Sequence, residues 1–174
     1  MSEGDGVDPG APRPPRARRP RAPRTCFDRA LKLLSLRDHA TAELRRKLGA
    51  AGHEATEIAA ALERLAALGY LDDARFARER ARQLCASGRL GRAAIAARLQ
   101  QACFAAELVR RALDEQLEGR DELAAARALL ARRFPALAAP GDQKERARAA
   151  RFLAGRGFSA EVIGRLLHLL DGES

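Results

Sequence analysis

From Thr25 onward, apolar residues recur three and four positions apart and are interrupted only by short glycine- or proline-bearing breaks, a pattern that predicts helices joined by tight turns. Phe27, Ala30, Leu31 and Leu34 keep helical spacing, and Thr25-x-x-Asp28 can cap their start. A second helix carries Leu44 and Leu48 and stops at Gly49 to Gly52, and a third runs from about Ala55 to Leu68. A fourth covers about Asp72 to Ala86 and breaks at Ser87-Gly88-Arg89-Leu90-Gly91. The fifth and sixth span about Arg92 to Gln101 and Ala105 to Leu117, and a seventh, about Asp121 to Phe134, ends at Pro135. Beyond a loop through Pro140-Gly141, an eighth covers about Gln143 to Ala154, and Ser159 caps a ninth that ends near Leu170.

The pattern repeats. Leu44, Leu48, Ile58 and Leu62 are matched in spacing by Ile95, Leu99, Val109 and Leu113, and again by Ala149, Leu153, Ile163 and Leu167. Each set brackets a comparable turn, Gly52-His53, Cys103-Phe104 and Gly157-Phe158, and equivalent positions lie 51 and then 54 residues apart. The expected architecture is therefore all-α, with three tandem three-helix repeats at 25–70, 71–118 and 119–174 forming an elongated, curved body. The third repeat opens its middle helix with Ala149 in place of leucine or isoleucine, so it is expected to pack most loosely.

The junction between the first two repeats, Leu68-Gly69-Tyr70-Leu71-Asp72-Asp73, closes one helix and opens the next. Gly69 suits the left-handed residue that ends a helix. Asp72 or Asp73 can cap the following helix and complement its positive end. Tyr70, Leu71 and Phe76 supply apolar bulk where the sequence is otherwise alanine and charge, which marks this junction as a hinge of the core.

Composition narrows the classes. Val, Ile and Thr number three each, so strand formers are scarce among the Ala, Leu, Arg and Glu that favour helices. One Tyr, no Trp and six Phe leave a core of mainly Leu and Ala. The net charge of +9 and sequence pI near 10.8 point to a polyanionic partner, nucleic acid first. Residues 1–24 interleave Pro9, Pro12, Pro14, Pro15, Pro20 and Pro23 with Arg13, Arg16, Arg18, Arg19, Arg21 and Arg24, a composition expected to form a disordered basic arm. Without it the net charge falls only from +9 to +6, because three acids leave with the six arginines. No run approaches the ~20 apolar residues of a membrane helix and no secretory signal is present, so a cytoplasmic protein is expected. Cys26, Cys85 and Cys103 show no CxxC pairing, which argues against disulfide or zinc chemistry.

Three motifs in order carry a family resemblance. Arg37-Asp38-His39 with Glu43-Leu44-x-x-x-Leu48, then Gly69-Tyr70-Leu71-Asp72-Asp73-x-x-Phe76-Ala77, then Arg156-Gly157-Phe158-Ser159 resemble the RecX family of bacterial regulators of the RecA recombinase. The resemblance runs from about Phe27 to Leu170. It implies a protein that binds the RecA filament along its groove and suppresses ATP hydrolysis, strand exchange and co-protease activity. One departure is Ala40, where the family has a serine that would form a capping box with Glu43; Asp38 or Thr41 is then expected to cap that helix.

Residue patterns for catalysis are absent from the sequence. His39, His53 and His168 are scattered without metal-ligand spacing, and no nucleophile motif or phosphate loop accompanies Asp72-Asp73. The expectation is a monomeric binding protein with no cofactor or metal and no enzymatic activity. Its partners would be the RecA filament together with single- and double-stranded DNA held through phosphates. Candidate contacts are Arg45, Arg46 and Lys47 on the second helix, Arg89 and Arg92 around the glycine break, and Arg132, Arg133 and Arg156 in the third repeat. Two alternatives stand beside this reading. Independent helix-turn-helix modules could each place a helix on duplex DNA, although Gln100-Gln101 falls at a helix end rather than a helix start. A plain scaffold would simply solvate its arginines.

Overall fold

The computed structural model describes residues 25–135 and 143–172, so the expectations for the 1–24 arm and for the Pro140-Gly141 loop lie outside the described residues. Within them the chain is helical, with α1 (Cys26–Leu34), α2 (Thr41–Ala50), α3 (Ala55–Ala67), α4 (Asp73–Ala86), α5 (Arg92–Gln101), α6 (Ala106–Leu117), α7 (Glu122–Arg133), α8 (Gln143–Gly155) and α9 (Ala160–Gly172). The α1 start carries the expected capping box, in which Thr25 Oγ1 accepts from the Asp28 N–H and the Asp28 carboxylate accepts from the Thr25 N–H.

The principal helix packing falls within triplets, α1–α2–α3, α4–α5–α6 and α7–α8–α9. Each triplet has its own apolar core. Leu44, Leu48, Ile58 and Leu62 lie in the first, Ile95, Leu99, Val109 and Leu113 in the second, and Ala149, Leu153 and Ile163 in the third. Removing these side chains from water is the main force holding each triplet together. Leu167, the last expected member, is only half-buried; its neighbour Leu166 is enclosed instead. Leu166 occupies the repeat position of Ala61 and Ala112, so a large residue on α9 accompanies the small Ala149 on α8. Ala149 and Leu153 are both fully buried, so the small residue on α8 leaves no opening to solvent.

The turns before α3, α6 and α9 share one backbone state, with positive φ at Gly52, Cys103 and Gly157. Cys103 is the one non-glycine among the described residues in that left-handed region, held there because the repeat geometry requires it. Gly69 likewise has φ +75° and closes α3, as expected.

At the first junction two expectations are corrected. Tyr70 is not part of the core: it is 56 % exposed, because Gly69 turns the chain so that Leu71 is the residue directed inward. Neither Asp38 nor Thr41 caps α2. Ala40, at the cap position, is fully buried within the core of the second triplet. The Thr41 N–H and hydroxyl both donate to Asp73 Oδ1, at 2.9 and 3.1 Å. Asp72 caps its own helix by accepting from the Arg75 N–H at 2.8 Å, which leaves Asp73 to reach back to the preceding triplet.

The second junction repeats the arrangement with more backbone in it. Asp121 caps α7 through the Ala124 N–H, and the next residue, Glu122, accepts from the Arg92 N–H of α5. The Gly91 N–H donates to the Arg156 carbonyl at 2.9 Å and the Ala93 N–H to the Gly157 carbonyl at 3.2 Å. The two segments approach so closely that a Cβ on Gly91 would collide with the Gly157 carbonyl, with only backbone to give way.

Two consequences can be measured. Tyr70→Ala should shift stability by no more than about 0.5 kcal/mol in a denaturant melt. Phe76→Ala, which removes a half-buried ring set edge-on to Phe104 at 5.1 Å, should cost about 3 kcal/mol. Gly91→Ala should open the seam between the second and third triplets and accelerate limited proteolysis of α8 and α9; unaltered cleavage would show that the close approach is not what holds them.

Candidate functional site

The three-residue loop Arg37-Asp38-His39 enters α2 beside a buried carboxylate. Glu43 lies on the inner side of α2, one turn beyond His39 and one turn before Lys47, so all three can meet. Arg37 grips Glu43 with both terminal nitrogens, Nη1 reaching Oε2 at 3.1 Å and Nη2 making a shorter bond to Oε1. Lys47 Nζ lies 3.1 Å from Glu43 Oε1 and 2.9 Å from His39 Nε2. The ammonium can only donate, so Nε2 accepts, and the proton sits on His39 Nδ1, which donates to the Arg37 carbonyl at 2.9 Å.

Electrostatics follows from that geometry. Burial lowers the His39 pKa from its ordinary value, disfavouring the imidazolium. For Glu43, burial alone pushes the carboxyl up, but the hydrogen bonds from Arg37 and Lys47 outweigh it and the net shift is downward. The same Glu43 bond raises the Arg37 guanidinium. Burial also raises the Cys26 and Cys85 thiols, so neither is poised as a thiolate nucleophile.

The candidate basic residues sort by partner. Arg45 and Arg46 are exposed on α2, and Arg132 at the end of α7, each without an ion-pair partner among the described residues. The Arg89 side chain is free in the same sense. Lys47 is engaged with Glu43 and His39, and Arg92 with Asp114. Arg133 and Arg156 lie over the rings of Phe134 and Phe152, an arrangement that still leaves guanidinium edges open. Backbone bonding at the second seam brings Arg92 and Arg156 together, with Arg89 two residues from Gly91, whereas Arg45, Arg46 and Lys47 sit on the first triplet.

Charge runs did not reveal a groove between the first two triplets. It is lined on one side by the α4 face carrying Asp72, Arg75, Phe76, Glu79, Arg80 and Gln83, and on the other by Arg37, Asp38 and His39. Two connected hollows of about 300 and 470 Å³ share Asp38 and Phe76. The sequence signal was the i, i+3, i+4, i+7 spacing of α4 residues left over after Ala77, Ala81 and Leu84 are assigned to the core.

Among the described residues no group of His, Cys, Asp and Glu is arranged to hold a metal ion, and no helix is long and apolar enough to cross a membrane. A chain built from helical triplets in series, each capped by the next, is a repeat protein that offers binding surfaces. Its family is shown by comparison. Residues 26–65, 72–113 and 120–167 match the first, second and third three-helix domains of RecX, in that order. The chain is 38 % identical over 144 residues to "Regulatory protein RecX" of Syntrophotalea carbinolica, covering 82 % of this chain and 94 % of that one. It is 41 % identical over 138 residues to the protein of the same name from Halorhodospira halophila, covering 78 % and 82 %. The crystal structure of RecX from Lactobacillus salivarius superposes with a TM-score of 0.68 at 18 % identity, covering 84 % of this chain and 94 % of that chain. The chain belongs to the RecX family.

The neutral His39 sets a pH expectation. Its folded pKa lies below the unfolded value of 6.5, so its contribution to stability is fully present above that value and is lost as pH falls through the folded pKa. Glu43 acts in the same direction lower down, its contribution being present above 4.5 and lost through its own depressed pKa. His39→Leu places at this position the residue that Leu90 supplies in the second triplet. It should abolish the stability loss just below pH 6.5 and keep the one below 4.5; an unchanged profile between pH 7 and 5 on thermal melting would sink the assignment.

Proposed function

We propose that this chain is a negative modulator of the RecA recombinase that binds the RecA-DNA filament and suppresses its ATP hydrolysis, strand exchange and co-protease activity. The observation that carries the reading is the ordered set of three RecX domains spanning most of the chain, alongside relatives named for a regulatory role. The protein works as a monomer in the cytoplasm, without cofactor or catalytic chemistry, through repeats bounded at 25–70, 71–118 and 119–174. Separate basic surfaces on successive triplets support contact with an extended assembly rather than with one compact ligand.

The DNA side of the contact is non-specific and rests on phosphates. Arg45 and Arg46 on α2, Arg89 near the second seam and Arg132 on α7 are the cations best placed for it, being exposed and unpaired among the described residues. Lys47 is the least available of the candidates because Glu43 and His39 hold it. Arg92, Arg133 and Arg156 add charge around these positions.

The direct test is single-strand-stimulated ATP hydrolysis by RecA, titrated with this protein well below stoichiometry, beside a binding assay on the same DNA without RecA. Inhibition while most DNA is uncovered is the expected result. Inhibition only once the DNA is saturated would replace filament modulation with simple competition by a helix-turn-helix type DNA binder. In the binding assay, replacing Arg45 and Arg46 by Ala should reduce the salt exponent by about 1.4 on single strands or about 1.8 on duplex, with helicity unchanged.

A further inference from the structure

One end of the groove between the first two triplets differs in charge from the rest of this +9 chain, whereas the other end carries Arg37 and Arg80 beside Glu43. Its upper hollow, about 300 Å³, sets three carboxylates, Asp38, Asp72 and Glu79, against one guanidinium, Arg75; the buried His39 ring beside them is taken up by bonds to Lys47 and the Arg37 carbonyl. Two aromatic rings accompany them, the exposed Tyr70 and the half-buried Phe76. Asp72 caps α4 and Glu79 is bonded to Arg82, but the Asp38 carboxylate has no partner among the described residues. An exposed ring beside an unpaired carboxylate is a receptor for a guanidinium, which stacks on the one and bonds the other. An aromatic-lined groove is also the usual receptor for an extended proline-rich segment.

We propose that this groove is the docking site of the chain's own Pro/Arg segment, residues 9–24. The segment carries six arginines and six prolines, and it joins α1 at Thr25. Its length fits. From Thr25 to Asp38 the chain passes through nine helical residues and a turn that begins at Ser35, a span shorter than the roughly 27 Å that an extended connection would give. A polyproline-type segment covers that distance in about nine residues at ~3.1 Å each, which puts Arg16 within reach of Asp38 and the upper hollow. Docked in this way, the arm withholds its arginines from nucleic acid until phosphates compete for them, so the arm and the groove form an internal mask on part of the basic charge.

Tyr70 makes the test specific, because it is the only tyrosine and the chain has no tryptophan. Acrylamide quenching of its emission in the 174-residue chain reads coverage of this one ring. Replacing Arg13, Arg16, Arg18, Arg19, Arg21 and Arg24 by Ser should raise the quenching constant roughly twofold as the ring becomes open on its free face. Raising salt from about 0.05 M to about 0.5 M should have the same effect on the parent chain and little on the arm variant, since screening weakens exposed charge pairs. Asp38→Asn, at an exposed side chain that supports nothing in the fold, should raise quenching in the parent and leave the arm variant unchanged. Equal quenching of parent and arm variant at low salt, or an Asp38→Asn effect that persists without the arm arginines, overturns the proposal.

Discussion

The constraint on which the structure depends is the unpaired N–H set at the start of the first two middle helices, α2 and α5. The first turn of a helix has donors with no partner inside the helix, and burying them unmet costs more than any single apolar contact returns. Neither α2 nor α5 carries a side-chain cap of its own, because Ala40 and Gly91 stand at the cap positions. Both helices take acceptors from the triplet that follows. Asp73, the first residue of α4, receives the Thr41 N–H; Glu122, the first residue of α7, receives the Arg92 N–H. In each case the preceding acid, Asp72 or Asp121, caps its own helix. The Asp-Asp and Asp-Glu pairs are therefore two-way caps, one carboxylate facing forward and one facing back, and they join neighbouring triplets at equivalent points.

That arrangement explains why small residues are required at the middle-helix starts. A serine at position 40 could cap α2 locally through the Glu43 N–H; with Ala40 there, wholly enclosed in the core of the second triplet, the first turn of α2 relies on Asp73 instead. Gly91 is more constrained still, since the Gly157 carbonyl occupies the place of any side chain. The Arg37, His39, Glu43 and Lys47 cluster serves the same end on the first triplet. Glu43 is buried, yet Arg37 and Lys47 reach it from solvent, so the carboxylate is compensated without burying two cations. Its effect is to fix the Arg37-Asp38-His39 loop, and through it the angle at which Ala40 enters the next triplet.

Much of this was legible in the sequence, for a definite reason. Helix period, glycine stops and the repeat of Leu44, Leu48, Ile58 and Leu62 in the later units are local signals, and the structure places every one of those first- and second-triplet residues in a core. What escaped were relations between units. The acceptor for Thr41 lies 32 residues away, and the acceptors at Gly91 and Ala93 are carbonyls that carry no residue-type signal at all. Tyr70 looked like core because aromatic bulk is scarce here, but the left-handed Gly69 turns it outward, and only Leu71 goes in. The substitution of Ala149 was legible while its counterpart was not, because Leu166 and Leu167 are indistinguishable by type and only the helix phase decides which is enclosed. Among the basic candidates, sequence runs gave position but not availability: Arg45, Arg46 and Lys47 are adjacent, and only the third is held by a buried carboxylate.

The two junctions are built from different materials. Between the second and third triplets the ties are main-chain hydrogen bonds across a glycine-to-glycine approach, with Glu122 and the Arg120 bond to the Leu90 carbonyl beside them. Backbone amides do not titrate and are little affected by salt, so the register of those two units is set by steric fit. Between the first and second triplets the tie is one carboxylate, Asp73, together with buried Ala40, and an open groove lies alongside. A charge-assisted bond at a partly open seam weakens as ionic strength rises. The salt-sensitive tie therefore lies at the first junction and the salt-insensitive ones at the second. Arg92 and Arg156 flank the backbone-bonded second seam, whereas Arg45 and Arg46 stand on the first triplet, across the seam that Asp73 and Ala40 hold.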